Sequence, residues 1–140
     1  MKLSMAEITS EAAEQPTKEA KIEYLRKNFD KMYAQMLKMA FDPNLIWDLP
    51  ETDPPYKKTQ YDDSEGMLFS EVRRMYLFHM GGHPTLKQNR KQELFVNLLE
   101  TVGNKDAEFV LAVRNKKLPE KYVGITKDLI NEAYPGLLVY

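Results

Sequence analysis

The chain contains no cysteine, which excludes a disulfide framework, a thiolate nucleophile and a thiolate-ligated metal. Histidine is almost as scarce, with only His79 and His83. No window approaches the roughly 18 apolar residues of a membrane-spanning helix. The opening Met1-Lys2-Leu3-Ser4-Met5-Ala6-Glu7-Ile8 lacks the apolar run of a signal peptide, so the simplest location is the cytoplasm. An excess of one charge is also missing. The net charge is −1 over 140 residues, and no global field recruits nucleic acid or an anionic membrane. The halves differ mildly, with nine basic and twelve acidic residues in 1–63 against eleven and nine in 64–140. No glycine-rich phosphate loop, nucleophile–base set or metal box stands in the sequence. No catalytic residue, cofactor or metal is therefore expected.

The most informative feature present is residues 41–56, which hold four of the eight prolines and the only tryptophan. Proline fixes φ, lacks a backbone donor and pushes its predecessor toward extended geometry. This stretch cannot be helix, yet Phe41, Leu45, Ile46, Trp47, Leu49 and Tyr56 are too apolar for a disordered linker. It reads as an ordered, extended strap over about 41–63. Trp47 is expected to anchor it against the helices, over residues 22–39 or 94–102.

The remainder reads as helix. After Pro16 and the N-cap Thr17, the residues Ile22, Leu25, Phe29, Met32, Met36 and Met39 recur at spacings of three and four. They predict one long amphipathic helix of about 24 residues with Phe29 buried. A second helix is expected from the cap Ser64 to about Met80, stopped by Gly81-Gly82. A third opens at Pro84-Thr85, with Leu94, Phe95, Leu98, Leu99 and Val102 as its stripe. A fourth runs from Asp106 to Arg114 with Ala107, Val110 and Leu111 inward, and a fifth from Lys127 to Tyr134 behind the cap Thr126. Tyr122 to Ile125 reads as a brief extended connection. Residues 1–16 are either a sixth, short helix or a flexible lead-in. The expectation is one all-α domain over 1–140, a compact bundle of five to six helices.

Each candidate site competes with a plainer reading. His79 and His83 could share a metal, but Gly81-Gly82 ends the helix between them, and surface or capping roles are favoured. Asp42, Asp48, Glu51, Asp53, Asp62 and Asp63 form an acidic loop without calcium-loop spacing, best read as solvated. Arg73 and Arg74, Lys87, Arg90 and Lys91, then Arg114, Lys116, Lys117 and Lys121 could contact phosphates if they converge. Otherwise they are solvated helix faces. Trp47, Pro54, Pro55, Tyr56, Leu137, Leu138 and Tyr140 are the candidates for contact with a protein partner. The expected function is a non-enzymatic protein–protein interaction or regulatory adaptor. The alternative is a nucleic-acid-associated accessory protein using the basic clusters of residues 73–121.

Several runs are specific enough to carry a resemblance. They are Lys21 to Asn28, Phe41 to Pro50, Pro54-Pro55-Tyr56-Lys57, Arg90 to Val96 with Leu98-Leu99-Glu100, Asp106-Ala107-Glu108 with Lys116-Lys117, Tyr122 to Thr126, and Glu132 to Pro135. Over about residues 18–137 the chain resembles a family of small proteins encoded by T4-like tailed phages, notably cyanophages. Members often carry glycine where Thr52 stands. The resemblance implies a phage origin and expression in the host cytoplasm, and the adaptor reading then expects a host or phage protein as partner. It implies no activity.

Overall fold

The computed structural model describes residues 3–58 and 67–138. Within them the chain is helical: α1 (Met5–Ala13), α2 (Lys18–Lys27), α3 (Lys31–Phe41), α4 (Met67–Glu71), a 3-10 helix (Val72–Phe78), α5 (Gln88–Val102), α6 (Asn104–Arg114), α7 (Leu118–Lys121) and α8 (Lys127–Ala133). Among the described residues β pairing is confined to one antiparallel bridge, Trp47 with His79. No helix among them is long and apolar enough to cross a membrane.

The core is organised around α6. Ala107, Phe109, Val110 and Val113 are fully buried, and Ala112 nearly so. A helix apolar on most of its circumference must be covered on most sides, and α1, α3, α5 and α7 all pack on α6. Leu111, expected inward, is only half-buried, while Phe109 is sealed. Phe109 stacks on Tyr33 of α3 at 6.2 Å and meets Tyr122 at 6.0 Å. Residues 5–13 form a packed helix whose Met5, Ala6, Ile8 and Ala12 are buried. Its start is a capping box, with Glu7 N–H donating to Ser4 Oγ and Ser4 N–H to Glu7 Oε1, both at 3.2 Å. Thr9 Oγ1 donates to the Met5 carbonyl at 2.8 Å. Its single proton is thereby committed, so the 2.6 Å contact with Tyr33 is donated by the phenol.

The long N-terminal helix expected from the heptad-like spacing is two helices. Asn28 caps the end of α2, donating through Nδ2 to the Tyr24 carbonyl at 2.9 Å. Asp30 starts α3, its carboxylate accepting from the N–H groups of Met32 and Tyr33. Asn and Asp side chains offer the backbone partners that compete with helix continuation. The break rotates the buried face of α3 onto Tyr33, Met36, Leu37 and Ala40, leaving Met32 and Met39 half-buried. Phe29 is 58% exposed and meets Tyr134 edge-on at 5.4 Å, which corrects the expectation that it is buried. Phe29→Ala should accordingly cost only about 1 kcal/mol, the worth of an aromatic pair on partly buried surface. A urea-melt loss above about 3 kcal/mol, the range of core phenylalanines, would contradict this placement.

The second expected helix is also divided, into α4 and the 3-10 helix, and its cap Ser64 lies outside the described residues. The chain then folds back so tightly that a β-carbon on Gly82 would lie 1.9 Å from the Tyr76 carbonyl oxygen. The third helix begins at Gln88 rather than at Pro84-Thr85. Gly103, at φ +95°, is the only residue between α5 and α6. That left-handed conformation lets one residue end one helix and start the next. Residues 122–125 are not extended: Ile125 N–H donates to the Tyr122 carbonyl at 3.0 Å, closing a turn with Gly124 at φ +97°. Thr126 caps α8 as expected, accepting from Leu129 N–H. Across the chain, Arg26 donates to the last carbonyls of α8, at Glu132 (2.7 Å) and Ala133 (3.0 Å), so its cation offsets that helix's negative end.

Candidate functional site

Residues 42–58 run between α3 and the later helices, and polar side chains from four places reach them. Lys116 Nζ donates to the carbonyls of Met39 and Asp42, at 2.5 and 3.0 Å. Lys91, 4% exposed, pairs with the Asp48 carboxylate, and Gln88 donates to the Asp48 carbonyl at 3.3 Å. Arg114, 8% exposed, donates through Nη1 to the Glu51 carbonyl at 2.7 Å and to Asn115 Oδ1 at 2.6 Å. Asn115 in turn donates to Asp53 at 2.8 Å, and Glu100 accepts from Lys57 N–H at 2.7 Å.

Three cations read from the sequence as phosphate contacts, Lys91, Arg114 and Lys116, thus converge on this segment rather than on one solvent face. The others are distributed. Arg73 and Arg74 are exposed on the 3-10 helix, with Arg74 3.4 Å from Glu71. Arg90 pairs with Glu93 at 3.0 Å and Lys121 with Glu108 at 3.5 Å. Lys87 and Lys117 are exposed. Asp48 and Asp53 have defined cationic or amide partners, so the acidic loop is not simply solvated, and Asp62 and Asp63 lie outside the described residues. No group of three or more His, Cys, Asp or Glu among the described residues could hold a metal.

At Trp47 the backbone closes a two-bond bridge. Asp48 N–H donates to the Phe78 carbonyl at 2.7 Å and Met80 N–H to the Ile46 carbonyl at 2.8 Å. The Trp47 and His79 rings meet edge-on at 4.7 Å, so Trp47's ring partner lies just past the 3-10 helix and not on residues 22–39 or 94–102, where the anchor was expected. Their neighbours Ile46 and Met80 are 57% and 62% exposed. Trp47 Nε1 and His79 Nε2 are both sealed without a hydrogen-bond partner among the described residues. Burial, reinforced by the Lys116 ammonium, pushes the His79 pKa down from 6.5 to about 4.

The sign of the resulting pH effect is fixed. The unfolded imidazole takes up a proton near 6.5 and the folded one only near 4. Stability is therefore intact above about 6.5 and falls as pH drops through that window. Urea midpoints at pH 7 and pH 5 should differ more for the native chain than for His79→Leu. Equal differences in the two proteins would show that His79 does not carry this dependence.

Beside this segment lies a groove of about 840 Å³. Leu49, Pro50, Pro54 and Pro55 form one wall, and Phe95 and Val96 of α5 lie in the other. The remaining α5 residues are Asn89, Gln92, Glu93 and Asn97. Positions 89, 92, 93, 96 and 97 follow the i, i+3, i+4, i+7 spacing of one helical stripe. It runs beside the core-facing stripe of Lys91, Phe95, Leu98, Leu99 and Val102. The side chains of Asn89, Gln92 and Asn97 make no hydrogen bond among the described residues, and Arg114 closes the groove.

Of the residues expected to contact a protein partner, Pro54 and Pro55 line the groove, while Trp47 and Tyr56 are half-buried. Leu138 is buried in the core with Leu137 packed against it, so the leucines of the tail are engaged internally. Tyr140 lies outside the described residues. The sequence reading missed the amide stripe and the burial of Lys91 and Arg114. A signal was present. Lys91 stands four before Phe95, and Arg114 four after Val110, on inward faces where a charge demands a partner.

The model of a family of unknown function (DUF6433) matches residues 8–120. No curated protein matches the chain.

Proposed function

Since the chain belongs to this family of unknown function, kinship brings no activity, and we propose from the geometry that it is a non-enzymatic protein–protein interaction module. In this reading residues 42–58, the described part of the strap expected over 41–63, lie over the helices, and their outer surface and the adjoining groove receive a partner. The supporting observation is the groove itself, with an apolar floor and unengaged amides on its rim. Protein-binding surfaces combine such a floor with a polar margin. The proposal includes a phage origin and a host or phage protein as partner, met in the host cytoplasm.

A photo-crosslinking residue at Gln92, on the groove rim, tests this in cells that make the protein. One defined polypeptide adduct is expected there and none from the same group at Lys127, an exposed position on α8. Equal labelling from both positions, or none, would remove the support. The nucleic-acid alternative loses ground because Lys91, Arg114 and Lys116 are engaged with Asp48, Glu51 and Asp42. Binding to DNA or RNA should be no tighter than about 10⁻⁴ M at physiological salt, the non-specific range. A sub-micromolar affinity with a steep salt slope in a fluorescence titration would reverse that ranking.

A further inference from the structure

Arg114 is held unusually for a buried cation. Its side chain is 6% exposed, yet the nearest carboxylate is Asp53 at 3.9 Å, beyond hydrogen-bond reach, and Asp53 is half in solvent. Nη1 donates to two neutral acceptors, the Glu51 carbonyl and Asn115 Oδ1. Nε and Nη2 donate to no acceptor among the described residues, and neither is among the side-chain atoms sealed from solvent. A buried guanidinium normally meets an anion through two parallel bonds. Here half of the fork is unpaired, and the residue lines the groove.

Two further features define what would complete it. The α5 stripe offers three amides at Asn89, Gln92 and Asn97, each a donor and an acceptor, as an extended peptide backbone requires. Between them and the strap, Phe95, Val96, Leu49 and the prolines supply apolar contact. The rim also carries Asp53 and Glu93. Glu93 is already paired with Arg90 at 3.0 Å and Asp53 accepts from Asn115 at 2.8 Å, so the open side of the Arg114 guanidinium is left to meet a single carboxylate, while the two rim carboxylates repel a polyanion such as a nucleic-acid backbone.

We propose that the groove between residues 49–55 and α5 binds an extended peptide segment of a partner protein through one acidic side chain, whose carboxylate pairs with Nε and Nη2 of Arg114. The amides of α5 hold the peptide backbone and the apolar floor takes its neighbouring side chains. This rests on the reading of the protein as an interaction module and assigns that module its ligand chemistry.

The test uses the full chain and three probes: the blocked peptide acetyl-Pro-Leu-Glu-Leu-Pro-amide, its counterpart with Gln in place of Glu, and inorganic phosphate. Proton–nitrogen spectra report on the Arg114 Nε–H and on the side-chain amides of Gln92 and Asn97. The Glu peptide should shift all three signals saturably and bind roughly tenfold more tightly than the Gln peptide, as loss of a charge-assisted pair implies. Gln92→Ala with Asn97→Ala should weaken it several-fold at unchanged melting temperature, since neither amide holds the fold together. Equal affinity for the two peptides would sink the carboxylate pairing while leaving the interaction module standing. Phosphate that shifts Arg114 as strongly as the Glu peptide, and displaces it, would make this a small-anion site instead. Absence of any shift at about 10 mM of each probe, weaker than useful recognition, would overturn the proposal outright. Crosslinking from Gln92 would still decide the broader reading separately.

Discussion

Phe109→Ala should cost about 3–5 kcal/mol, the range for deleting a fully enclosed aromatic ring. Phe109 has no exposed surface and lies between the rings of Tyr33 and Tyr122. The helix that carries it is covered by α1, α3, α5 and α7, so the surroundings cannot collapse into the vacated space without moving several elements at once. Residual cavity volume then adds to the lost transfer energy. Equilibrium urea melts give the number. A loss below about 1.5 kcal/mol, typical of half-buried sites, would mean that α6 is not the centre of the core. Phe109→Leu, which keeps most of the volume, should cost roughly 1 kcal/mol.

The second large effect is an asymmetry. Lys91 and Asp48 form one ion pair, but the lysine side chain is 5% exposed and the aspartate side chain 37%. Removing Asp48 strands an ammonium away from water, and Asp48→Ala should cost about 3 kcal/mol. Removing the lysine leaves a carboxylate that water can reach. Lys91→Met keeps the apolar stem packed beside Phe95 and should cost about 1 kcal/mol or less. Urea melts of the two variants compare the costs, and Trp47 fluorescence reports on residues 42–58 beside them. Equal losses, or a larger one for Lys91→Met, would show that the pair is governed by attraction alone and not by which partner is left dry.

Both effects bear on how far the sequence could be read. The helical class followed from three- and four-residue spacings, and two helix starts followed from local chemistry, with Thr17 and Thr126 as caps. Those signals act within a turn or two, where a short window sees the whole cause. The break at residues 28–30 had a local cause as well, two capping side chains, but an unbroken run of apolar spacings concealed it. Lys91 and Arg114 were read as solvent-facing because their partners lie 43 and 63 residues away, on a segment whose path no local pattern encodes. The groove follows from that path, and its amide stripe looks like an ordinary polar helix face until the wall opposite is in place.

The docking of α1 on α6 has a temporal side. The Ala6 N–H donates to the Asp106 carboxylate, 100 positions later in the chain. Ribosomes add about 5–20 residues per second, so α1 waits roughly 5–20 s for the helix that covers it. Nine residues are too few to hold a helix in water without packing. During synthesis, then, Met5, Ile8 and Ala12 sit on a nascent chain without their later cover, an apolar segment open to chaperones or to neighbouring nascent chains. Closing a contact of that span carries a loop-closure cost that near-neighbour contacts do not. This chain should fold more slowly than helical proteins built from near-neighbour contacts, with its first helix among the last elements to settle.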